Sequence, residues 1–280
     1  MPVADRPFRS VLYIPGSKPR ALEKARTLPV DAIIFDLEDA VAPDEKAAAR
    51  ATLRDALDAD YGPRLRLVRV NGADTEWGAA DLDAFADAPC DALLLPKVDG
   101  PVDLDPVPGD RPLWAMMETA RGVLNAAAIA DHPRLQGLVL GTNDLAKELG
   151  CRTPADRMPL MTALQTCLLA ARAAGIACID GVYNAFKDAE GFAAECAQGR
   201  ALGMDGKTLI HPAQVDAANA AFAPTEAEVE LARRQIAAFD AAVAAGQGVA
   251  VLDGRIVENL HVDSARRTLA KQEAIAALEG

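Results

Sequence analysis

The chain has 280 residues, of which 51% are hydrophobic, 25% charged and only 4% aromatic. This composition is typical of a well-packed globular protein and excludes collagen, long disordered tracts and a small disulfide scaffold. The 29 basic and 41 acidic residues give a net charge of −12, which argues against nucleic acid or anionic lipid as a partner. No stretch approaches the roughly 18 uninterrupted apolar residues of a membrane span, and the N-terminus has no apolar signal core. We therefore expect a cytoplasmic protein with no membrane partner.

Eight short apolar runs recur along the first three quarters of the chain, each closed by polar or turn residues. They span residues 10–15, 32–36, 65–70, 92–97, 113–117, 137–140, 177–179 and 207–211. Strands that are apolar throughout, rather than alternating, are typical of a parallel sheet covered on both faces. Eight such units predict an α/β fold, specifically a (β/α)8 TIM barrel rather than an open doubly wound sheet.

Helix signals fill most of the gaps between these runs. Pro43, followed by acidic residues, begins one predicted helix. Two more are predicted over 153–174 and 187–202, each followed by a glycine that can cap its C-terminus. The segment 100–112 holds four Pro and two Gly, so we expect it to be mostly loop.

The pattern changes after residue 224. A long Ala-rich helix is predicted over 225–246 with Thr225 as its N-cap, then a hairpin with a type I′ turn over 249–258, and a final helix over 262–278. This segment is too short for a core of its own. We therefore predict a TIM-barrel catalytic domain at 1–224 and a C-terminal appendage at 225–280, which packs on a barrel, its own or that of a neighbouring subunit.

Two acidic residues, Glu118 and Asp144, directly follow predicted strands that are adjacent along the chain. In a TIM barrel the chemistry lies at these C-terminal strand ends. Two carboxylates there can hold one Mg²⁺, which commonly takes one or two protein carboxylates together with waters and substrate oxygens. The alternative is that either acid only caps the helix that follows it.

Arg69 ends the third predicted strand. A guanidinium at the mouth of a barrel can bind a substrate carboxylate in bidentate fashion. The alternative is a buried ion pair with Glu38 or Asp39, which follow the second strand. Both arrangements can hold together.

A basic segment follows the first predicted strand. Ser17 is the predicted N-cap of a helix whose first turn contains Pro19, and Lys18 and Arg20 flank it. Free N–H groups beside cations suit a phosphate. A solvated basic face is the alternative interpretation.

Seven motifs occur in a fixed order along the chain. They are RSVLYIPGS from Arg9, FDLEDAV from Phe35, RVN from Arg69, PK at Pro96, ETARG from Glu118, GTNDL from Gly141 and GKTLIHPAQ from Gly206. With these motifs the chain resembles the citrate lyase beta-subunit-like group of the HpcH/HpaI aldolase superfamily, which includes malyl-CoA and citramalyl-CoA lyases. The resemblance covers nearly the whole chain.

The resemblance implies a lyase that depends on Mg²⁺, with Mn²⁺ as an alternative ion. Such an enzyme cleaves a 3-hydroxy dicarboxylic acyl-CoA, for example malyl-CoA or citramalyl-CoA, to a 2-oxo acid and a short acyl-CoA. By position, Glu118 and Asp144 would bind the metal and, through it, the substrate. Arg69 would hold the oxo-acid carboxylate, and Glu38 and Asp39 would hold metal-bound waters.

The resemblance also implies a CoA-binding edge and an oligomer. The edge would be formed by Gly16, Ser17, Lys18 and Arg20. Members are usually trimers or hexamers in which the C-terminal segment of one subunit covers the barrel of the next. Many lyases of the group have a catalytic Asp at the end of the C-terminal hairpin, where this chain has Glu258. Glu258 would then be the acid/base, supplied by a neighbouring subunit.

Three other readings compete with the lyase. One is a true citrate lyase beta subunit, which would act on a citryl thioester carried by a partner protein of a citrate lyase complex. Another is a thioesterase that hydrolyses the same malyl-CoA-type esters. The last is a non-catalytic binding barrel, which would show no tight Mg²⁺-dependent binding of an oxo acid.

Overall fold

Eight parallel strands close into a barrel in the computed structural model, which describes residues 6–279. The strands pair in sequence order, and the last pairs with the first. They are β1 (Ser10–Pro15), β2 (Ala32–Asp36), β3 (Leu65–Arg69), β4 (Ala92–Leu95), β5 (Leu113–Met117), β6 (Leu135–Leu140), β7 (Ala177–Asp180) and β8 (Gly206–Leu209). The predicted (β/α)8 barrel is confirmed.

Nine helices lie within residues 8–222, eight of them in the connections between the strands and the ninth after β8. They are α1 (Pro19–Ala25), α2 (Lys46–Ala56), α3 (Gly78–Phe85), α4 (Ala120–Leu124), α5 (Ala126–Ala130), α6 (Thr142–Leu149), α7 (Met161–Ala174), α8 (Ala189–Leu202) and α9 (Val215–Phe222). Every residue of β2, β4 and β5 is buried, because the barrel interior covers one face of each strand and the helices cover the other. This is why the apolar runs show no alternation.

Two predicted helix starts are wrong. Ser17 does not cap α1, because Pro19 occupies the first helical position and makes Lys18 the N-cap. Helix α7 begins at Met161 rather than at 153, because Arg157 adopts a left-handed backbone (φ 53°) that no helix can include.

Arg157 takes this conformation as part of a cluster that we call the buried quartet, formed by Arg157, Asp180, Glu195 and Lys207. The Nη1 atom of Arg157 lies 2.7 and 2.9 Å from the two carboxylate oxygens of Asp180. The Nζ atom of Lys207 lies 3.1 Å from Asp180 and 2.6 Å from Glu195. The quartet thus ties β7, β8 and α8 to the loop before α7.

The last strand is shorter at its C-terminal end than predicted. Residues Ile210 and His211 leave β8, because the side-chain oxygen of Gln214 accepts hydrogen bonds from both of their backbone N–H groups. These bonds replace the ladder of the sheet and turn the chain into a short 3-10 helix at Pro212–Gln214.

The described residues from Ala223 onward form a second compact unit. It contains α10 (Glu226–Ala244), an antiparallel hairpin of β9 (Ala250–Leu252) and β10 (Arg255–Val257), and α11 (Asn259–Glu279). Thr225 caps α10 in a capping box with Glu228. Positive φ angles at Asp253 and Gly254 give the predicted type I′ turn. No helix within residues 6–279 is long and apolar enough to cross a membrane.

Candidate active site

A pocket of about 310 Å³ opens at the C-terminal ends of the barrel strands. Its volume falls within the range of small-molecule sites, at the face where TIM barrels carry out chemistry. Its walls come from seven of the eight strands or the residues that follow them. They are Tyr13, Pro15, Asp36, Asp39, Ala40, Arg69, Met116, Glu118, Leu140, Gly141, Thr142, Asn143, Asp144, Val182, Asn184 and Ile210. The predicted site residues Asp39, Arg69, Glu118 and Asp144 therefore line one cavity.

Glu118 is held in the pocket by its backbone surroundings. Its side chain is 3% exposed, and its Oε1 atom accepts a 2.7 Å hydrogen bond from the backbone N–H of Lys97. Burial raises the pKa of Glu118, and the nearby Lys97 ammonium offsets this only in part. A Cβ atom at position 141 would lie 2.6 Å from Oε2 of Glu118, so only a glycine there leaves room for the carboxylate.

Lys97 connects the two acids that the sequence predicted as metal ligands. Its ammonium forms an ion pair with Asp144 and lies 3.9 Å from Oε1 of Glu118. Neither acid caps a helix, since Thr119 caps α4 and Gly141 is the N-cap residue of α6. A cation thus lies between Glu118 and Asp144, on a side chain that is half exposed and can move away.

Arg69 is buried among acids. Its Nε and Nη2 atoms donate to the two carboxylate oxygens of Asp36 at 2.8 and 2.6 Å. Its Nη1 atom lies 2.7 Å from Glu38 and 3.5 Å from Asp39. The register of β2 and β3 places Asp36 directly beside Arg69. The ion-pair interpretation therefore holds, with Asp36, which the sequence analysis did not single out, as the main partner.

The site carries more negative than positive charge. Five carboxylates surround two cations, the acids being Asp36, Glu38, Asp39, Glu118 and Asp144 and the cations Arg69 and Lys97. Burial raises the pKa of Glu38 to about 7, although Arg69 acts in the opposite direction. An anionic substrate can enter such a site only when another positive charge compensates the acids.

The donor set fits a divalent cation of the hard class. Carboxylate oxygens are the ligands that Mg²⁺ prefers, and the ion usually retains several waters. No cluster of three or more His, Cys, Asp or Glu side chains within residues 6–279 has the geometry of a metal cage. A site on Glu118 and Asp144 would therefore leave coordination positions for waters and substrate oxygens.

The residues predicted to bind CoA lie after β1 and do not line the pocket. Lys18 and Arg20 are exposed, and Lys18 pairs only loosely with Glu45, with 3.7 Å between Nζ and Oε2. The Oγ atom of Ser17 is buried without a hydrogen-bond partner among the described residues. Gly16 packs against β2 through a 2.8 Å backbone hydrogen bond to Asp36.

Glu258, the predicted acid/base, belongs to the second unit. It follows β10 directly, and its side chain is exposed. Its backbone N–H donates a 3.1 Å hydrogen bond to Nδ1 of His261, which lies in the first turn of α11. The carboxylate is therefore free of local partners that would hold it against its own unit, as far as the described residues show.

Comparisons with known proteins identify relatives over the full barrel. The HpcH/HpaI aldolase/citrate lyase family matches residues 9–212. A (3S)-malyl-CoA thioesterase of Cereibacter sphaeroides is 67% identical over 275 residues, which cover 97% of this chain and 96% of the relative. Citrate lyase subunit beta of Escherichia coli is 37% identical over 284 residues, covering 96% and 94%. The crystal structure of CitE from Mycobacterium tuberculosis with magnesium, acetoacetate and coenzyme A has a TM-score of 0.84 at 31% identity, covering 96% and 99%.

These relatives correct the main functional prediction. The predicted carbon–carbon lyase activity is wrong, because the relatives with 65–67% identity over 97% of the chain are (3S)-malyl-CoA thioesterases, which are hydrolases. The citrate lyase subunit is much more distant, at 37%. The motifs gave the wrong reaction for a physical reason. They contain the residues that would hold a metal and an acid group. Such residues would serve cleavage of a carbon–carbon bond and cleavage of a thioester C–S bond equally well.

The matched region begins in the first motif and ends after β8. It therefore includes every strand of the barrel and the pocket residues Arg69, Glu118 and Asp144. The ordered motifs, the closed barrel and the matched relatives all indicate the same family. The chain belongs to the HpcH/HpaI aldolase/citrate lyase family.

Proposed function

We propose that this protein is a thioesterase that hydrolyses (3S)-malyl-CoA, or a closely similar 3-hydroxy dicarboxylic acyl-CoA, to the free acid and CoA. The observation that carries the proposal is the 67% identity, over 97% of the chain, to a (3S)-malyl-CoA thioesterase. The pocket supports it, because its charged groups suit a small dicarboxylic acid and its volume of about 310 Å³ suits an acyl group of four or five carbons.

The acid end of the substrate would bind at Arg69, Glu118 and Asp144. Arg69 is fixed by Asp36, so its guanidinium is preorganised to meet a carboxylate without losing side-chain entropy. Glu118 and Asp144 would hold Mg²⁺, with Mn²⁺ as an alternative. When bound, the ion supplies the positive charge that an anionic substrate needs and polarises its oxygens. Glu38 and Asp39 would orient waters at the edge of this site.

The hydrolysis itself needs a water molecule and a base. The water oxygen bonds to the thioester carbonyl carbon, the C–S bond breaks, and its electron pair leaves on sulfur. The proton from water passes through the base to the thiolate, so the products are the dicarboxylic acid and CoA. We assign the base to Glu258, contributed by the C-terminal segment of a neighbouring subunit in a homotrimer or hexamer.

The nucleotide part of CoA is too large for the pocket and would remain outside it. Lys18 and Arg20 are exposed cations on the segment after β1, and their charge suits the CoA phosphates. Ser17 and Gly16 belong to the same segment, although the Oγ atom of Ser17 is buried, so their contribution would come through the backbone. Together these residues would form the CoA-binding edge.

Product analysis tests the proposal. The purified protein is incubated with Mg²⁺ and malyl-, citramalyl- or methylmalyl-CoA, and the products are identified by mass spectrometry. Malate and CoA in equal amounts are expected from malyl-CoA, with one ¹⁸O atom in malate when the reaction runs in H₂¹⁸O. Glyoxylate and acetyl-CoA would instead show carbon–carbon cleavage and refute the proposal.

Variants test the assigned residues. Glu118→Ala and Asp144→Ala are expected to lower kcat in a way that added Mg²⁺ does not restore. Asp131→Asn serves as a matched control, since Asp131 is exposed and lies before β6, at the opposite end of the barrel. Wild-type turnover by both alanine variants in chelator-treated buffer would refute the metal assignment.

A further inference from the structure

Tyr13 crosses the pocket from one side of the barrel to the other. It lies on β1 and its hydroxyl reaches Met116 on β5, with 3.4 Å between Oη and Sδ. In an eight-stranded barrel closed in sequence order, β1 and β5 are opposite each other. Tyr13 stands two residues before Pro15 on β1, and Met116 stands two residues before Glu118, which directly follows β5, so they lie one layer deeper. The Tyr13 side chain therefore forms part of the pocket floor.

The Tyr13 hydroxyl has no strong hydrogen-bond acceptor in the part of the chain that the structure describes. Within residues 6–279, the thioether sulfur of Met116 is its hydrogen-bond partner, and a thioether is a weak acceptor. Tyrosine hydroxyls that are removed from water normally pair with an oxygen or nitrogen. An O–H donor thus remains in the pocket for an acceptor that residues 6–279 do not supply.

The groups around this hydroxyl are those assigned to the acid end of the substrate. The Cζ atom of Arg69 lies 5.0 Å from the centre of the Tyr13 ring, which fixes the ring by a cation–π contact. Met116 is adjacent to Gly141, where an added Cβ would lie 3.1 Å from Cε of Met116 and 2.6 Å from Oε2 of Glu118. The hydroxyl, the guanidinium and the Glu118 carboxylate therefore enclose one small volume.

The size of the substrate determines which of its ends enters this volume. CoA is much larger than the pocket of about 310 Å³, so the thioester lies near the mouth and the far end of the acyl chain reaches the floor. In a 3-hydroxy dicarboxylic acyl-CoA that far end is a carboxylate. A carboxylate oxygen is the strong acceptor that the hydroxyl lacks.

We infer that the Tyr13 hydroxyl donates a hydrogen bond to the distal carboxylate of the acyl group and so selects dicarboxylic over monocarboxylic thioesters. This specificity role rests on the proposed function. It makes Tyr13 a substrate-binding residue in addition to Arg69, and gives the pocket a way to reject an acyl chain that ends in a methyl group.

The test compares malyl-CoA with 3-hydroxybutyryl-CoA, which has the same skeleton with a methyl in place of the distal carboxylate. Tyr13→Phe removes only the hydroxyl and keeps the ring beside Arg69. The ratio of kcat/KM for the two esters is expected to fall about 10- to 100-fold, the range for a hydrogen bond to a charged group. Turnover of 3-hydroxybutyryl-CoA stays within about twofold.

A matched control uses another tyrosine. Tyr61 is buried outside the pocket, with its ring 5.0 Å from that of Phe35. Tyr61→Phe is expected to leave the ratio unchanged. If Tyr13→Phe lowers kcat/KM equally for both esters, or changes kcat/KM for neither, the hydroxyl has only a packing role and the inference is refuted.

A binding measurement separates this inference from the proposed function. Calorimetry with malate in the presence of Mg²⁺ is expected to show about tenfold weaker binding to Tyr13→Phe than to wild type. This expectation does not depend on whether the protein hydrolyses a thioester. Equal malate affinities overturn the Tyr13 inference alone. A wild-type protein that binds malate but releases none from malyl-CoA overturns the thioesterase alone. A wild-type protein that releases malate but does not bind it overturns the Tyr13 inference alone.

Discussion

Two charged clusters in the barrel unit differ in how their charges balance. The buried quartet has two cations, Arg157 and Lys207, and two acids, Asp180 and Glu195. The site at the pocket has five acids and two cations, of which Asp36, Asp39, Glu118, Asp144 and Arg69 line the pocket itself. The quartet and the inner part of the site, formed by Asp36, Glu38, Arg69 and Glu118, are largely removed from water, so an uncompensated charge there costs free energy. Asp39, Lys97 and Asp144 are more exposed. The charges of the quartet compensate one another, whereas the acids at the pocket exceed the cations.

The pKa values of the acids show the same contrast. Burial alone would raise the pKa of Asp180, but Lys207 and Arg157 bring it below its usual value. Burial raises the pKa of Glu118 despite Lys97, and that of Glu38 to about 7 despite Arg69. A balanced buried cluster stabilises the fold, whereas an excess of buried acid is typical of a site that receives a cation.

The largest expected effect is on stability, in the quartet. Asp180→Asn leaves Arg157 and Lys207 buried without their shared carboxylate, so the free energy of unfolding should fall by about 3–5 kcal/mol. Urea unfolding followed by circular dichroism measures it, with Asp131→Asn as the exposed control. A loss below about 1 kcal/mol would mean that the quartet does not stabilise the barrel.

The corresponding change in the pocket should affect activity and leave stability intact. Glu118→Gln keeps an oxygen for the backbone N–H of Lys97 but removes a charge that is poorly compensated. Thioester hydrolysis should fall about 100-fold or more, while the free energy of unfolding stays equal or rises by up to about 1 kcal/mol. If Glu118→Gln destabilised the fold as much as Asp180→Asn, the distinction between the two clusters would fail.

The two clusters should respond to pH in opposite directions. Glu38 has a pKa of about 7 in the folded protein and a usual value of 4.5, so the folded state binds more protons between these values. Stability without metal should therefore fall as pH rises from about 4.5 to 7, by up to about 3 kcal/mol. The lowered pKa of Asp180 has the opposite sign, and its stabilisation is lost as pH falls below the usual value of 3.8.

Unfolding in metal-free buffer at several pH values checks this. Glu38→Gln should reduce the fall in stability between pH 5 and 7, because glutamine does not titrate, and the raised pKa of Glu118 should account for the part that remains. The Asp131→Asn control should retain it. A wild-type protein whose stability rises through this interval would contradict the assignment of a raised pKa to Glu38.

The smallest expected effect is a change in KM when the exposed cations Lys18 and Arg20 are removed. Lys18 and Arg20 contribute little to folding, because surface ion pairs are worth little. Replacing both with alanine should raise KM for the CoA ester about 3- to 10-fold, leave kcat and unfolding unchanged, and reduce the dependence of KM on salt. Steady-state kinetics at two ionic strengths measures this. An unchanged KM would exclude these residues from the CoA-binding edge.

The barrel could be predicted because its strands are buried on both faces. The bounds of β1, β2 and β5 agree with the apolar runs residue by residue. The start of α7 could not be predicted, because Arg157 leaves the helical conformation to reach Asp180, which lies 23 positions away in the sequence. A tertiary ion pair of this kind has no local sequence signal.

The site was predicted in outline for a similar reason. Arg69, Glu118 and Asp144 end strands or follow them, and parallel strands bring their C-terminal ends together. Asp36 could have been found by aligning β2 with β3, which pairs it with Arg69. Lys97 ends the predicted run 92–97, but its contact with both acids could not be predicted, because it depends on a left-handed backbone (φ 51°) that its sequence does not indicate. The reaction was mispredicted because the motifs identify the family, which includes citrate lyase subunits as well as malyl-CoA thioesterases among the matched relatives, and do not distinguish the two reactions.

Calorimetric titration with Mg²⁺ in the presence of malate tests the central claim, that the excess acid of the pocket exists to bind a divalent cation with a hydroxy acid. The wild-type protein and Asp131→Asn should bind one ion per chain. Glu118→Gln and Asp144→Asn should lose this binding. A wild-type protein that takes up no Mg²⁺, or pocket variants that bind it as tightly as wild type, would contradict the account.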